Sequence, residues 1–124
     1  MTKKKMIKEN LSEQFKNKII IITGSTQGSG AETAKLLASR GAKGITICGR
    51  NEKNGKRVKS EIESFGTECI YVKADLENLK DCKKIISQTD KKFGTVNTLI
   101  NSAAYTGRGT ILSTTQNCLL YTSP

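Results

Sequence analysis

An apolar run, Ile19 to Thr23, gives way at once to Gly24, Ser25, Thr26, Gln27, Gly28, Ser29 and Gly30, and then to Ala31, Ala34, Leu37 and Ala38 at helical spacing. The change of period predicts strand, glycine loop and helix. Gly41 closes that helix, and Ile45 to Cys48 form a second apolar run. Asn51 is placed to cap a second helix, whose inner face is Val58, Ile62 and Phe65 and which Gly66 ends. A third strand, Cys69 to Lys73, leads through Ala74 and Asp75 to a helix with Leu79, Cys82, Ile86 and Phe93 on one side. Gly94 then precedes a fourth strand, Val96 to Asn101. Beyond Tyr105 the periodicity fades, and Gln116 to Pro124 carry none.

Strands joined by helices of this length run parallel, and right-handed crossovers place the helices on both faces of the sheet. The fold class expected is therefore α/β, a doubly wound parallel sheet of order 3-2-1-4, with Val96 to Asn101 at one edge. Three segments follow: a basic N-terminal stretch over 1–18, an α/β unit over 19–115, and a tail over 116–124 expected to be unstructured.

The composition removes several chemistries. There is no His in 124 residues, which excludes imidazole bases and imidazole metal ligands. Cys48, Cys69, Cys82 and Cys118 form no CxxC pair, so no metal knuckle or dithiol site is expected, and the first three read as small buried side chains. The longest aliphatic run, Ile19 to Ile22, is far short of a bilayer span, so no membrane partner is expected. Lys3, Lys4 and Lys5 are followed by no apolar h-region, which points to a cytoplasmic location. The net charge of +10 raises the question of nucleic acid. That charge is spread, +4 over residues 1–18 and +6 over the rest, with few aromatics for stacking; a solvated basic surface is the simpler reading.

A helix N-terminus presents unpaired N–H groups and the positive end of a dipole, so a loop that brings an anion there binds phosphate without a cationic side chain. Gly24 permits a sharp exit from the strand, Gly28 lets the backbone approach a pyrophosphate, and Gly30 lets the helix start close against the sheet. A P-loop needs Lys and then Ser or Thr after its last Gly; Gly30 is followed by Ala31 and Glu32, which disfavours triphosphate hydrolysis.

Thr23-Gly24-Ser25-Thr26-Gln27-Gly28-Ser29-Gly30 resembles the TGxxxGxG signature of the short-chain dehydrogenases/reductases. Ala74-Asp75-Leu76 resembles the turn with which that family contacts adenine, and Leu99-Ile100-Asn101-Ser102-Ala103-Ala104 resembles its NNAG strand end. The resemblance covers about residues 15 to 115. It implies a Rossmann-like fold, a dinucleotide cofactor, an alcohol or carbonyl substrate and a homo-oligomer. Two positions depart from the pattern: Ser29 stands where the family carries Ile or Leu, and Ser102 and Ala104 replace Asn and Gly. The residues expected to hold the cofactor are Gly24, Gly28 and Gly30 in the phosphate loop, Ser25, Thr26, Gln27 and Ser29 as hydroxyl and N–H donors, Asp75 and Leu76 at the adenine, and Asn101, Ser102 and Ala103 beside the ribose.

Cofactor choice is read about 20 residues past the loop, where a carboxylate would hydrogen-bond the ribose diol of NAD. Gly49 and Arg50 stand there instead. A guanidinium at that edge pairs with a 2′-phosphate, so NADP(H) is favoured over NAD(H).

The resembled family works through a Tyr acid/base with a Lys four positions later. None of Tyr71, Tyr105 and Tyr121 has that Lys, so no catalytic residue is assigned and these 124 residues are expected to be inactive alone. They read as a cofactor-binding part of an NADP(H)-dependent oxidoreductase, broken off after the fourth strand. Cys118-Leu119-Leu120-Tyr121-Thr122-Ser123-Pro124 resembles the translated transposase-end adapter of sequencing libraries, and a truncated gene read into an adapter is the expectation for that end. A non-catalytic dinucleotide-binding module and a basic nucleic-acid-binding protein are the alternatives.

Overall fold

The computed structural model describes residues 13–102. Strands β1 (Ile19–Thr23), β2 (Gly44–Gly49), β3 (Glu68–Lys73) and β4 (Thr98–Asn101) alternate with helices α1 (Gly28–Ser39), α2 (Glu52–Glu63) and α3 (Leu79–Phe93). Every pairing is parallel and the order is β3-β2-β1-β4, as the alternation of elements predicts.

Both faces of the sheet are covered, which is why β1 reads as a continuous apolar run rather than an alternating one. Ile20 and Ile22 of β1 pack with Ile45 and Ile47 of β2 under α1 and α2, through Ala34, Leu37, Val58 and Ile62. Ile21, Cys48 and Val72 point to the opposite face and meet Ile85 of α3. Each fully buried Ile contributes about 1.5 to 3 kcal/mol relative to an exposed one, so this two-faced β1 anchors the domain.

Asn51 caps α2 by accepting from the Asn54 N–H at 3.0 Å. Asn78 does the same for α3, accepting from Lys80 N–H at 2.9 Å and Asp81 N–H at 3.4 Å. Gly94, at φ +79°, ends α3 in the left-handed conformation.

The structure differs from the sequence reading at several edges. Phe65 lies past the end of α2 and is exposed, because the helix stops at Glu63 before the apolar spacing is completed. In α3 the inward face is Cys82, Ile85 and Thr89; Leu79 is exposed and Ile86 only half-buried. Thr89 is buried because its hydroxyl has partners, donating within reach of the Ile85 carbonyl at 2.7 Å and lying 2.8 Å from the Thr46 hydroxyl. β4 begins at Thr98 rather than Val96, since Asn97 takes over the ladder with its side chain: Oδ1 accepts from the Ile19 N–H at 2.7 Å. Residues 13–18, counted above with the N-terminal stretch, are tied to the domain. Phe15 packs against the core under α1 and donates its N–H to the Arg40 carbonyl at 3.1 Å.

Among the described residues no helix is long and apolar enough to cross a membrane, and no cluster of acidic or Cys residues could hold a metal ion.

Candidate functional site

The carboxyl ends of parallel strands, together with the loops that leave them, form the crevice where open α/β sheets bind ligands. Here that end is built from Gly24 to Gly30 after β1, Gly49 and Arg50 at the end of β2, Ala74 to Leu76 after β3, and Asn101 and Ser102 at the end of β4.

Gly24 and Gly28 adopt φ of +62° and +60°, the left-handed region that a side chain disfavours. At Gly28 a Cβ would meet nothing within 4 Å, so the loop surface is open there. Gly30 is the reverse: a Cβ would lie 2.3 Å from the Gly24 carbonyl oxygen. Its bareness lets α1 start against the loop's own first turn, rather than against the sheet as the sequence suggests. α1 begins at Gly28 with Gln27 as N-cap, and Gln27 makes no capping hydrogen bond with its side chain. No acidic residue sits in the first turn. The amides of Gly28, Ser29 and Gly30 therefore have no hydrogen-bond partner among the described residues, in contrast to the capped α2 and α3. Three free donors at a positive helix end, beside open space, fit an anionic phosphate group.

Ser25 is placed differently from the expectation that it donates to a ligand. It is fully buried; its hydroxyl donates to the Ile22 carbonyl at 2.6 Å and accepts from the Cys48 N–H at 3.0 Å. Its own N–H donates to the Cys48 carbonyl at 3.2 Å. Both donors are used inside the fold, and what Ser25 does is lock the loop to the end of β2. Thr26 is also buried, and its side chain fills the space beside Gly49, where a Cβ would lie 2.7 Å from Thr26 Oγ1. Gln27 and Ser29 are exposed on the loop surface.

Arg50 is exposed at the tip of β2 and has no hydrogen-bond or ion-pair partner among the described residues. The backbone that carries it is held by Tyr71, a residue for which the sequence offers no motif that signals this role. The Tyr71 hydroxyl donates to the Gly49 carbonyl at 2.7 Å, and its ring occupies the notch left by Gly55 of α2. The Ala74 N–H donates to the same carbonyl at 3.1 Å. Burial, with Glu52 nearby, pushes the Tyr71 phenol above its ordinary pKa, so it remains a donor.

Asp75 and Leu76 are half-buried at the tip of β3. One Asp75 carboxylate oxygen accepts from the Glu77 N–H at 3.0 Å, and the Asp75 N–H donates to Asp81 Oδ2 at 2.8 Å. Asp81, in the first turn of α3, thus orients the Asp75 turn. Its only sequence signal is its place six residues on, as an acidic residue opening a helix.

Thr23 ties the first and last strands of the site together. Its buried Oγ1 lies 3.1 Å from Asn101 Oδ1 and 3.4 Å from the Ile100 carbonyl, and accepts from the Ser102 N–H at 3.2 Å. Thr23 was legible as the first residue of the glycine signature, but its bond across to Asn101 was not. Ala103, Tyr105 and the tail including Cys118 lie outside the described residues.

Cys48, Cys69 and Cys82 are free and buried, as expected from their spacing. Burial pushes the Cys48 and Cys69 thiols up to about 12, so neither is a thiolate at neutral pH.

Compared with known proteins, residues 18–119 match the model of the short chain dehydrogenase family. The human short-chain dehydrogenase/reductase 3 is 33% identical over 101 residues, covering 82% of this chain and 33% of that protein. A crystal structure of a short chain dehydrogenase from Bacillus anthracis superposes with a TM-score of 0.76 at 32% identity, covering 86% of this chain and 49% of that one. A short chain dehydrogenase/reductase from Burkholderia phymatum, solved in complex with NAD, is 28% identical with a TM-score of 0.65 and covers 68% of this chain and 30% of that one. The chain thus spans about a third of the length of its curated relatives, 28% to 39% in the first four.

Proposed function

The chain belongs to the short-chain dehydrogenase family of oxidoreductases, and from that premise we propose that the intact protein moves a hydride between NADP(H) and a small alcohol or carbonyl substrate. Residues 19–115, with 13–18 tied to them, form its dinucleotide-binding part, beside the rest of the basic stretch 1–18 and the tail 116–124. The observation that carries this reading is the bare N-terminus of α1: three free amides after an open glycine turn, in a fold whose other two helices are capped by Asn. Gly28, Ser29 and Gly30 would receive the pyrophosphate. Ser25 and Thr26 brace the loop against β2. Asp75, with the carboxylate oxygen not used by Glu77, and Leu76 would border the adenine, and Asn101 to Ala103 the ribose.

Arg50 supports NADP(H) over NAD(H). It is a free guanidinium on a turn fixed by Tyr71, and no carboxylate occupies the tip of β2 to repel a 2′-phosphate. When bound, the nicotinamide supplies or accepts the hydride. Nothing in residues 1–124 provides the Tyr and Lys pair that would handle the proton, so this stretch alone is expected to bind without turnover. A homo-oligomer and a cytoplasmic location complete the reading, the latter supported by buried thiols left unpaired.

The test is calorimetric titration of the chain with NADPH and with NADH, alone and as Arg50→Ala. NADPH is expected to bind more tightly by one to two decades, from a charge-assisted contact of about 1.5 to 3 kcal/mol. The variant should lose most of that difference while keeping its NADH affinity. Equal affinities in the unsubstituted chain remove the assignment of Arg50.

A further inference from the structure

β3 is an edge strand, and its outer side is the floor of an open groove of about 710 Å3. One wall is α2, with Lys56 and Lys59; the other is α3, with Gln88, Lys91 and Lys92; Ile70 and Tyr71 lie at the base. From this placement we propose that the β3 edge is a docking site for an acidic, extended segment of another protein, added to the sheet as a fifth strand.

The backbone supplies the first part of the argument. The N–H groups of Glu68 and Ala74 donate to the Lys43 and Gly49 carbonyls on the β2 side. Strand alternation then turns the N–H and C=O groups of Cys69, Tyr71 and Lys73 outward. Lys84 Nζ donates to the outward Lys73 carbonyl at 2.7 Å, which both agrees with that orientation and closes one end of the edge. The donors and acceptors of Cys69 and Tyr71 have no strand beside them among the described residues. Donors and acceptors in alternation match a peptide backbone; a DNA backbone offers acceptors only and would leave the carbonyls unmet.

Charge selects the occupant. Four Lys and one Glu line the groove, and Lys91 has no acidic partner among the described residues. Lys56, Lys59 and Lys92 have exposed partners, Glu52, Glu63 and Glu68, at 3.4, 3.9 and 3.6 Å, which are weak contacts that an incoming carboxylate can exchange with. Lysines along an edge repel indiscriminate pairing, and the same charges admit a strand with carboxylates on both its faces. A second copy would bring the same lysines and is disfavoured. So are this chain's own remaining segments: residues 1–12 hold four Lys and one Glu, and residues 103–124 hold no acidic residue at all.

The experiment uses the whole chain and a fluorescent, capped peptide about eight residues long in which pairs of Glu alternate with pairs of Val, so that both faces of the strand carry carboxylates, matched to the length of an edge strand. Fluorescence anisotropy is expected to show saturable binding that weakens with salt. Amide exchange at Cys69, Tyr71 and Lys73 should slow on addition of the peptide. Lys59→Glu/Lys91→Glu should weaken binding roughly tenfold or more, with the melting temperature lowered by only a few degrees at most. Lys91→Glu alone removes no contact of the fold and should weaken it by a smaller factor. Four results overturn the proposal: no binding; binding that ignores the charge reversals or leaves those three amides unprotected; equal or tighter binding of a short single-stranded oligonucleotide; or protection of β3 by self-association without peptide.

Discussion

Replacing Gly30 by Ala tests how the loop and α1 are fitted together, because two physical effects give opposite signs. Helix propensity alone predicts a gain of up to about 1 kcal/mol, since Ala is favoured over Gly inside a helix. The structure predicts a loss. A Cβ at position 30 would lie 2.3 Å from the Gly24 carbonyl oxygen, 3.0 Å from the Gly24 carbonyl carbon and 3.1 Å from Ser25 Cα. Carbon and oxygen approach no closer than about 3.3 Å in ordinary contacts, so about 1 Å of separation has to be created. The atoms in the way are backbone, and Ser25 is held on one side by the Ile22 carbonyl and on the other by both backbone groups of Cys48. The loop therefore cannot retreat without breaking buried hydrogen bonds.

Overpacking against rigid surroundings costs about 1 to 3 kcal/mol, and this case belongs at the upper end. For a domain of this size about 3 kcal/mol lowers the melting temperature by roughly 15 °C. Gly28→Ala is the comparison: its Cβ would meet nothing, and only its φ of +60° is penalised, by about 1 to 2 kcal/mol. Thermal melts followed by circular dichroism should rank the native chain above Gly28→Ala, and Gly28→Ala above Gly30→Ala. NADPH titration should show Gly30→Ala the weaker binder, because moving Gly24 disturbs the free amides. A Gly30→Ala chain that melts at or above the native temperature would refute the close approach and leave propensity as the governing effect.

Thr23→Val keeps the shape of the buried side chain but removes the acceptor of the Ser102 N–H and the contact with Asn101 Oδ1, and should cost about 1 to 3 kcal/mol in urea unfolding. A midpoint equal to that of the native chain would show that β1 and the end of β4 are not joined through this hydroxyl. Stability should also fall in alkali. Below pH 9 the Cys48 and Cys69 thiols keep their protons in both states; between their ordinary value of 9.0 and the buried value of about 12, only the unfolded chain releases them. Unfolding is then favoured by up to about 1.4 kcal/mol per pH unit for each thiol, and a urea midpoint unchanged between about pH 8 and pH 10.5 would contradict the burial argument.

The architecture was legible because it rests on periodicity and on backbone rules. Ile19 to Ile22, the glycine loop and the helical spacing of Ala31, Ala34, Leu37 and Ala38 fix the first βα unit locally, and parallel crossovers then leave little choice of strand order. Boundaries were less legible wherever a single side chain settles them: Asn97 replaces two residues of β4 with one amide oxygen, and no propensity encodes that. The same division runs through the site. Gly24, Gly28 and Gly30 could be placed from spacing, since glycine is chosen for what its own backbone does. Ser25 could not, because its partners, Ile22 and Cys48, belong to two strands whose pairing has to exist first.

Tyr71 and Asp81 carry this further, and for one reason. Each touches the site through a backbone group of another element, Tyr71 through the Gly49 carbonyl and Asp81 through the Asp75 N–H. A residue that positions another residue's backbone leaves no local motif, as its own neighbours in sequence are indifferent to the bond. The tips of β1, β2 and β3 are consequently one connected unit. Ser25 joins the glycine loop to Cys48, Tyr71 and Ala74 join Gly49 to β3, and Asp81 joins the end of β3 to α3. A ligand that spans phosphate loop, Arg50 and Asp75 would meet three surfaces whose spacing is set before it arrives, so little of its binding free energy would go into ordering the protein.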